Sequence, residues 1–576
     1  MISYRIDIAE PHTHHFEVTV HVPRPVQQQE LSLPVWIPGS YMVREFGRHL
    51  SGLRAWQGRT EVPLEQLDKT TWRAQCADAR ALRVTYRVYA FDTSVRTAFL
   101  DDRRGFFNGT GLCLRVAGRE ADPHVIQLGR LPRGWSVATA MPSTGEREYT
   151  AADYDELVDH PFELGAFWRG EFEACGVPHE FIVAGAWPGW DGQRLLDDTR
   201  RICEQQIRFW HGDAGAPPPF GRYVFMLNAV DEGYGGLEHR ASTALIAARR
   251  DLPRHGMETL PDGYVTLLGL ISHEYFHTWN VKRLKPVELA QPDYTRENYT
   301  RLLWFFEGFT SYYDDLMLRR AGLIDVGRYL KLLAKSVNTV AATPGRQVQS
   351  VAEASFDAWV KYYRPDENTP NATVSYYVKG SLIALALDLR LRHKGSSLDV
   401  LMRRLWALGN GGPISEDDID RTLRAMGQRA AADDLRAWVH GTDELPLVEL
   451  FKSAAVQWNT ERAGWAASLG LRLSEGAVSG IQVRQVLAGS AASQAGICAG
   501  DELLAVDGWR VRRLDDAQAW VPRQQAFDLL LVRDQRVRQL RVQPQTQSAL
   551  QELVTLASID KAPAATLARR RAWIAG

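Results

Sequence analysis

With 576 residues the chain is too long for one hydrophobic core, and roughly three to four domains are expected. Apolar content of 45% and charged content of 24% are ordinary for a globular protein. A formal net charge of -1 gives no overall pull toward nucleic acid or an anionic membrane, so neither is expected as a partner.

The chain opens MISYRIDIAEPHTHHFEVTVHVP, an apolar–polar alternation that reads as strand and not as a signal peptide. No uninterrupted apolar run nears about 18 residues, so no membrane span is expected and a cytoplasmic location is the default. Residues 1–172 are expected to be all-β, from runs such as FEVTVHV, LRVTYRVYAF and GLCLRVAG broken by turn residues. Residues 173–460 turn mainly helical. LLDDTRRICEQQIRFW is an amphipathic helix, RYVFMLNAV a strand, and YVTLLGLISHEYFHTWN a long helix; RLLWFFEGFTSYYDDLMLRR and SLIALALDLRLR are further helices. Residues 464–548 form a separate β-rich domain of strands joined by Gly/Asp turns, and 549–576 a helical tail. The cysteines Cys76, Cys113, Cys175, Cys203 and Cys498 are scattered without a CxxC, which argues against a disulfide framework or a thiolate metal site.

Chemistry concentrates in LLGLISHEYFHTWNVKRLKP, residues 267–286. On a helix His273 and His277 project from one face and can reach one ion, with Glu274 beside them to take a proton from an activated water. A plain core helix would bury His, Glu and His without compensation, which is costly. Glu307, inside the apolar stretch WFFEGFTSYY, is the expected third ligand, since a carboxylate there is expensive unless bound. Three protein ligands and one open position describe a catalytic zinc, one Zn2+ per chain. Ser311 and Asp314 both share the helix face of Glu307, and either would suit a hydrogen bond to a ligand histidine.

HEYFHTWN followed by EGFTSYY resembles the gluzincin metallopeptidases, most closely the glycyl aminopeptidase family, which pairs a thermolysin-like catalytic domain with a PDZ domain. WIPGSYMVREFGR (36–48) and SVRTAFLDDRRGFFNGTGLCL (94–114) are similar to motifs of that family's N-terminal β domain, and VLAGSAASQAGICAGDELLAVDG to a bacterial-type PDZ core. The resemblance implies an N-terminal all-β domain, a thermolysin-like α+β, mainly helical catalytic domain with a helical extension, and a PDZ-like domain. It also implies a zinc aminopeptidase that prefers small N-terminal residues, glycine and alanine, on peptides with a free N-terminus.

GYGGLEH (233–239) is similar to the Gly-x-Met-Glu-Asn exopeptidase motif. By that match Gly235 and Gly236 offer backbone to an extended substrate and Glu238 binds its α-ammonium, with Leu237 and His239 in place of the usual Met and Asn. SYYVKG (375–380) is similar to a Tyr-x-Lys-Gly segment, which implies Tyr377 as the oxyanion donor. In SLGLRLSEG (468–476) Arg472 stands where the PDZ carboxylate loop usually has its second glycine, so capture of a peptide C-terminus and packing on the catalytic domain both stay open. Two further readings are a PDZ-guided endopeptidase and a PDZ-based adaptor with an inactive peptidase module.

Overall fold

The structure is a computed structural model that describes all residues except 213–216, 410, 477, 546–548 and 576. It divides into two compact units, Met1–Tyr299 with Trp406–Ser415, and Thr300–Leu405 with Glu416–Gly576.

The first unit begins with the expected β architecture. An eight-stranded sheet includes His15–Val22, in which Phe16, Val18, Val20 and Val22 face inward while the intervening residues face out. Two four-stranded sheets accompany it. GLCLRVAG departs from expectation: Gly109–Leu112 forms a buried helical turn and only Arg115–Val116 is strand. Asn108, just before that turn, donates its side-chain amide to the Val95 and Thr97 carbonyls, which redirects the chain.

A five-stranded sheet follows, in the order Trp168–Ala174, Val177–Ala184, Tyr223–Val230, Ser242–Ala248, Tyr234–Glu238. The three central strands are parallel and both edge strands run antiparallel to their neighbours. Two helices accompany this sheet. Gly192–His211 is capped by Asp191, which accepts from Arg194 N–H. Asp262–Phe276 is apolar on nearly every side and correspondingly buried, held to the first helix where Gln206 donates to the Ser272 carbonyl and hydroxyl. Leu237 and Ala244 of the sheet belong to the same buried cluster as the N-terminal β domain, so the two share one core.

In the second unit the stretch expected as one helix is broken. Leu303–Phe306 ends at Glu307, and Gly308–Arg320 starts directly after it. Tyr376–His393 crosses this pair where Gly308 and Gly380 meet backbone to backbone: a Cβ on Gly308 would lie 2.6 Å from the Gly380 Cα. The PDZ-like domain is a sheet in the order Leu471–Gly476, Gly480–Val486, Glu502–Val506, Phe527–Arg533, Arg536–Val542, around its own apolar core. Residues 549–576 are not helical throughout. Ala549–Gln551 is a short 3-10 turn, Glu552–Ser558 pairs with Val456–Arg462 as a two-stranded ribbon, and Ala564–Ala575 is helix. That helix is pinned by Arg320 and Arg392, which donate to the Trp573 and Ala572 carbonyls, and by Trp573 Nε1, which donates to Tyr312. No described helix is long and apolar enough to cross a membrane.

Candidate active site

His273 and Glu274 occupy the last turn of Asp262–Phe276, and His277 is its C-terminal cap. The two imidazoles face each other, Nε2 to Nε2, at 3.0 Å. His277 Nδ1 donates to the Asn280 carbonyl at 2.8 Å, so its Nε2 carries the lone pair toward His273. Asn280 was not legible as a partner, because the contact depends on the chain turning back after the helix. That turn is tightly held: Asn280 N–H donates to Phe276 and Lys282 N–H to His277. Val281 between them takes φ +142, a region a β-branched residue rarely adopts.

The edge strand Tyr234–Glu238 runs against this helix end. A Cβ on Gly236 would lie 2.1 Å from Glu274 Oε1, so the Glu274 carboxylate rests directly on the strand backbone and only glycine leaves room for it. Arg96, from the N-terminal β domain, donates to the Gly236 carbonyl at 3.2 Å, a contact for which the sequence carries no local signal. Glu238, Glu274 and His277 are all buried, and each presents a ligand-capable atom within 4.8 Å of the others. His239 is buried as well, with Nδ1 facing Asp159 at 3.2 Å.

The second unit carries the other two expected residues. Glu307 is buried at the helix break, its N–H donating to Leu303 and its carbonyl accepting from Ser311 N–H. The glycine crossing brings Tyr377 near it, and burial together with the Glu307 carboxylate holds the Tyr377 phenol well above its usual pKa. The phenol therefore stays protonated and able to donate; its oxygen lies 3.2 Å from that of Tyr363. Ser311 and Asp314 lie on Gly308–Arg320, whereas the partner seen for His277 is a backbone carbonyl.

Donor chemistry in the first unit suits a divalent transition metal. Two imidazole lone pairs cannot approach to 3.0 Å without a proton or a cation between them. Ligands about 2.0–2.1 Å from a tetrahedral zinc sit roughly 3.3 Å apart, close to the spacing observed.

A solved structure of an aminopeptidase N family protein from Idiomarina loihiensis is similar along the full length: 34% identity, 100% of both chains covered, TM-score 0.93. The family models that match are the peptidase M61 N-terminal domain over 3–166, M61 glycyl aminopeptidase over 266–383, and a PDZ domain over 482–533. The chain belongs to the M61 glycyl aminopeptidase family. It is therefore a metallopeptidase, with the N-terminal β, catalytic and PDZ architecture expected of it. An M1 zinc metallopeptidase from Deinococcus radiodurans is a more distant likeness, at 17% identity over 77% of this chain and 94% of that one, TM-score 0.48. No curated protein matches the chain. For this M61 member, His273, Glu274, His277, Glu307 and Tyr377 all fall inside the glycyl aminopeptidase match, while Gly235, Gly236 and Glu238 lie outside it.

Proposed function

We propose that this M61 protein is a zinc aminopeptidase that removes small N-terminal residues, glycine or alanine, from peptides with a free N-terminus. His273, His277 and Glu307 would hold the metal, one per chain. Zinc, when bound, supplies Lewis acidity toward the scissile carbonyl and toward water. Glu274 accepts the proton of the attacking water and returns it to the leaving amine. Tyr377, kept protonated, donates to the developing oxyanion.

One observation carries the exopeptidase assignment. Glu238 and Glu274 are two buried carboxylates gathered beside His277, and like charges so placed repel one another. A substrate α-ammonium on Glu238 relieves that repulsion and fixes the cleavage register one residue from the N-terminus. Preference for a small N-terminal residue rests on membership of the glycyl aminopeptidase family.

For the PDZ domain we infer a docked role. A carboxylate nest needs uncommitted amide N–H groups, whereas those of Leu469 and Gly470 already donate to Trp465 and Ala467. Asn371 and Arg472 further tie the domain to the helices of its unit through Val486, Ala488 and Ala342.

Hydrolysis of glycyl-alanyl peptides alongside their N-acetylated forms tests the assignment. Cleavage of the free peptides only is expected; equal cleavage of the blocked ones would move the protein to the endopeptidases.

A further inference from the structure

Glu238 lies on the edge strand beside Glu274 and His277, yet part of what surrounds it comes from the N-terminal β domain. Asp159, within the M61 N-terminal match, is buried and binds on two sides of the site. Toward the edge strand it faces His239 Nδ1 at 3.2 Å and accepts from Arg240 N–H at 3.2 Å and Arg240 Nε at 2.9 Å. Those residues directly follow Glu238. Toward the zinc helix it pairs with Lys282 Nζ at 2.7 Å, and Lys282 N–H donates to the His277 carbonyl at 3.0 Å. Burial alone would raise the Asp159 carboxyl, but Lys282, His239 and Arg240 outweigh it and hold the group well below the usual carboxylate range. Asp159 is thus a charged tie between the residues that follow Glu238 and those that follow His277.

Gly39 acts from another direction. It has φ +90, and a Cβ there would lie 2.5 and 2.6 Å from the two Glu238 carboxylate oxygens. The carboxylate therefore lies flush against bare backbone. The loop that carries Gly39 is anchored, with Val35 N–H donating to Tyr294 and Trp36 Nε1 to Asp293, both at 2.8 Å. Such a wall does not yield easily.

We propose that Gly39 and Asp159 are positioning residues that set the place of the Glu238 carboxylate, so that the N-terminal β domain takes part in selecting substrates with a free amine. This rests on the reading of Glu238 as the ammonium-binding group. A merely structural ion cluster would affect stability and all ligands alike, whereas a positioning role changes the preference for a ligand that carries the amine.

The test uses the zinc-loaded full chain and two small inhibitors, glycine hydroxamate and acetohydroxamate. They present the same chelating group and differ by the amine, so the ratio of their inhibition constants reads amine recognition directly. The wild type is expected to favour glycine hydroxamate, and Glu238→Gln to bring the ratio near one. Gly39→Ala should cut the ratio by roughly tenfold or more, as about an ångström of misplacement does, with acetohydroxamate affinity and zinc content unchanged, and Asp159→Asn should cut the ratio to a similar extent. A wild-type ratio in both variants, with the ratio lost in Glu238→Gln, overturns the positioning role. A wild-type ratio in Glu238→Gln overturns the Glu238 reading itself. Should circular dichroism show Asp159→Asn unfolded, Gly39→Ala decides the matter alone.

Discussion

The Gly236–Glu274 contact allows catalysis and stability to be separated by one methyl group. Gly236→Ala places a Cβ 2.1 Å from Glu274 Oε1 and 2.3 Å from its Cδ. Ordinary contact begins near 3.4 Å, so the carboxylate must retreat by about 1.3 Å. The obstructed atoms are the end of a side chain with three rotatable bonds, not backbone, so the fold can yield while the base is misplaced. A displacement of that size costs about 100-fold in rate, close to 2.7 kcal/mol of transition-state stabilisation. Hydrolysis of glycyl-4-nitroanilide should therefore lose about two decades in kcat, with zinc content retained and the melting temperature nearly unchanged. Adding Glu274→Gln to Gly236→Ala should bring little further loss beyond Glu274→Gln alone, because both act on the same carboxylate. A kcat within about threefold of wild type in Gly236→Ala would refute the reasoning.

Gly308→Ala meets the backbone of Tyr376–His393, the Gly380 Cα at 2.6 Å and the Tyr376 carbonyl at 2.8 Å, so it should destabilise the protein by about 1–3 kcal/mol in urea unfolding and lower kcat by shifting Tyr377. His179 is buried, and burial pushes its pKa down to about 4. The unfolded ring takes its proton near 6.5 and the native ring only near 4, so the stability is fully present above about pH 6.5 and drains by about 3 kcal/mol toward pH 4. His179→Gln should flatten that slope in urea melts at stepped pH; an unchanged slope would mean the native ring titrates freely. Removing the metal with a chelator should lower the melting temperature, since an ion present at about 100 times its Kd adds about 2.7 kcal/mol. An unchanged melt after verified metal loss would show that the ion makes no net contribution to the fold.

What could be read from the sequence depended on how local the physics is. Helical spacing sets His273 and His277 on one face regardless of the rest of the chain, and the cost of a carboxylate among Trp304, Phe305 and Phe306 marks Glu307 by itself. The break at Glu307 leaves no mark in the sequence, because periodicity runs straight through it. The cause is tertiary, namely the Gly308–Gly380 crossing, which needs two helices about 70 residues apart in the sequence. Gly236 carried a usable signal, since a glycine inside a strand pattern marks close approach, yet the approaching group belongs to another element. Gly39 and Asp159 lie far from Glu238 in the sequence, and no local pattern joins them. The strand Glu552–Ser558 falls where a helical tail is expected, because its register is supplied by Val456–Arg462 and not by alternation of its own.

The most direct test of a zinc aminopeptidase with Glu274 as base is kcat for glycyl-4-nitroanilide in wild type and Glu274→Gln, with metal content measured on both. The account predicts about one zinc per chain in each protein and a loss of at least about 100-fold in kcat for the variant. Equal turnover in the two at equal zinc, or wild-type activity in zinc-free protein, would contradict it.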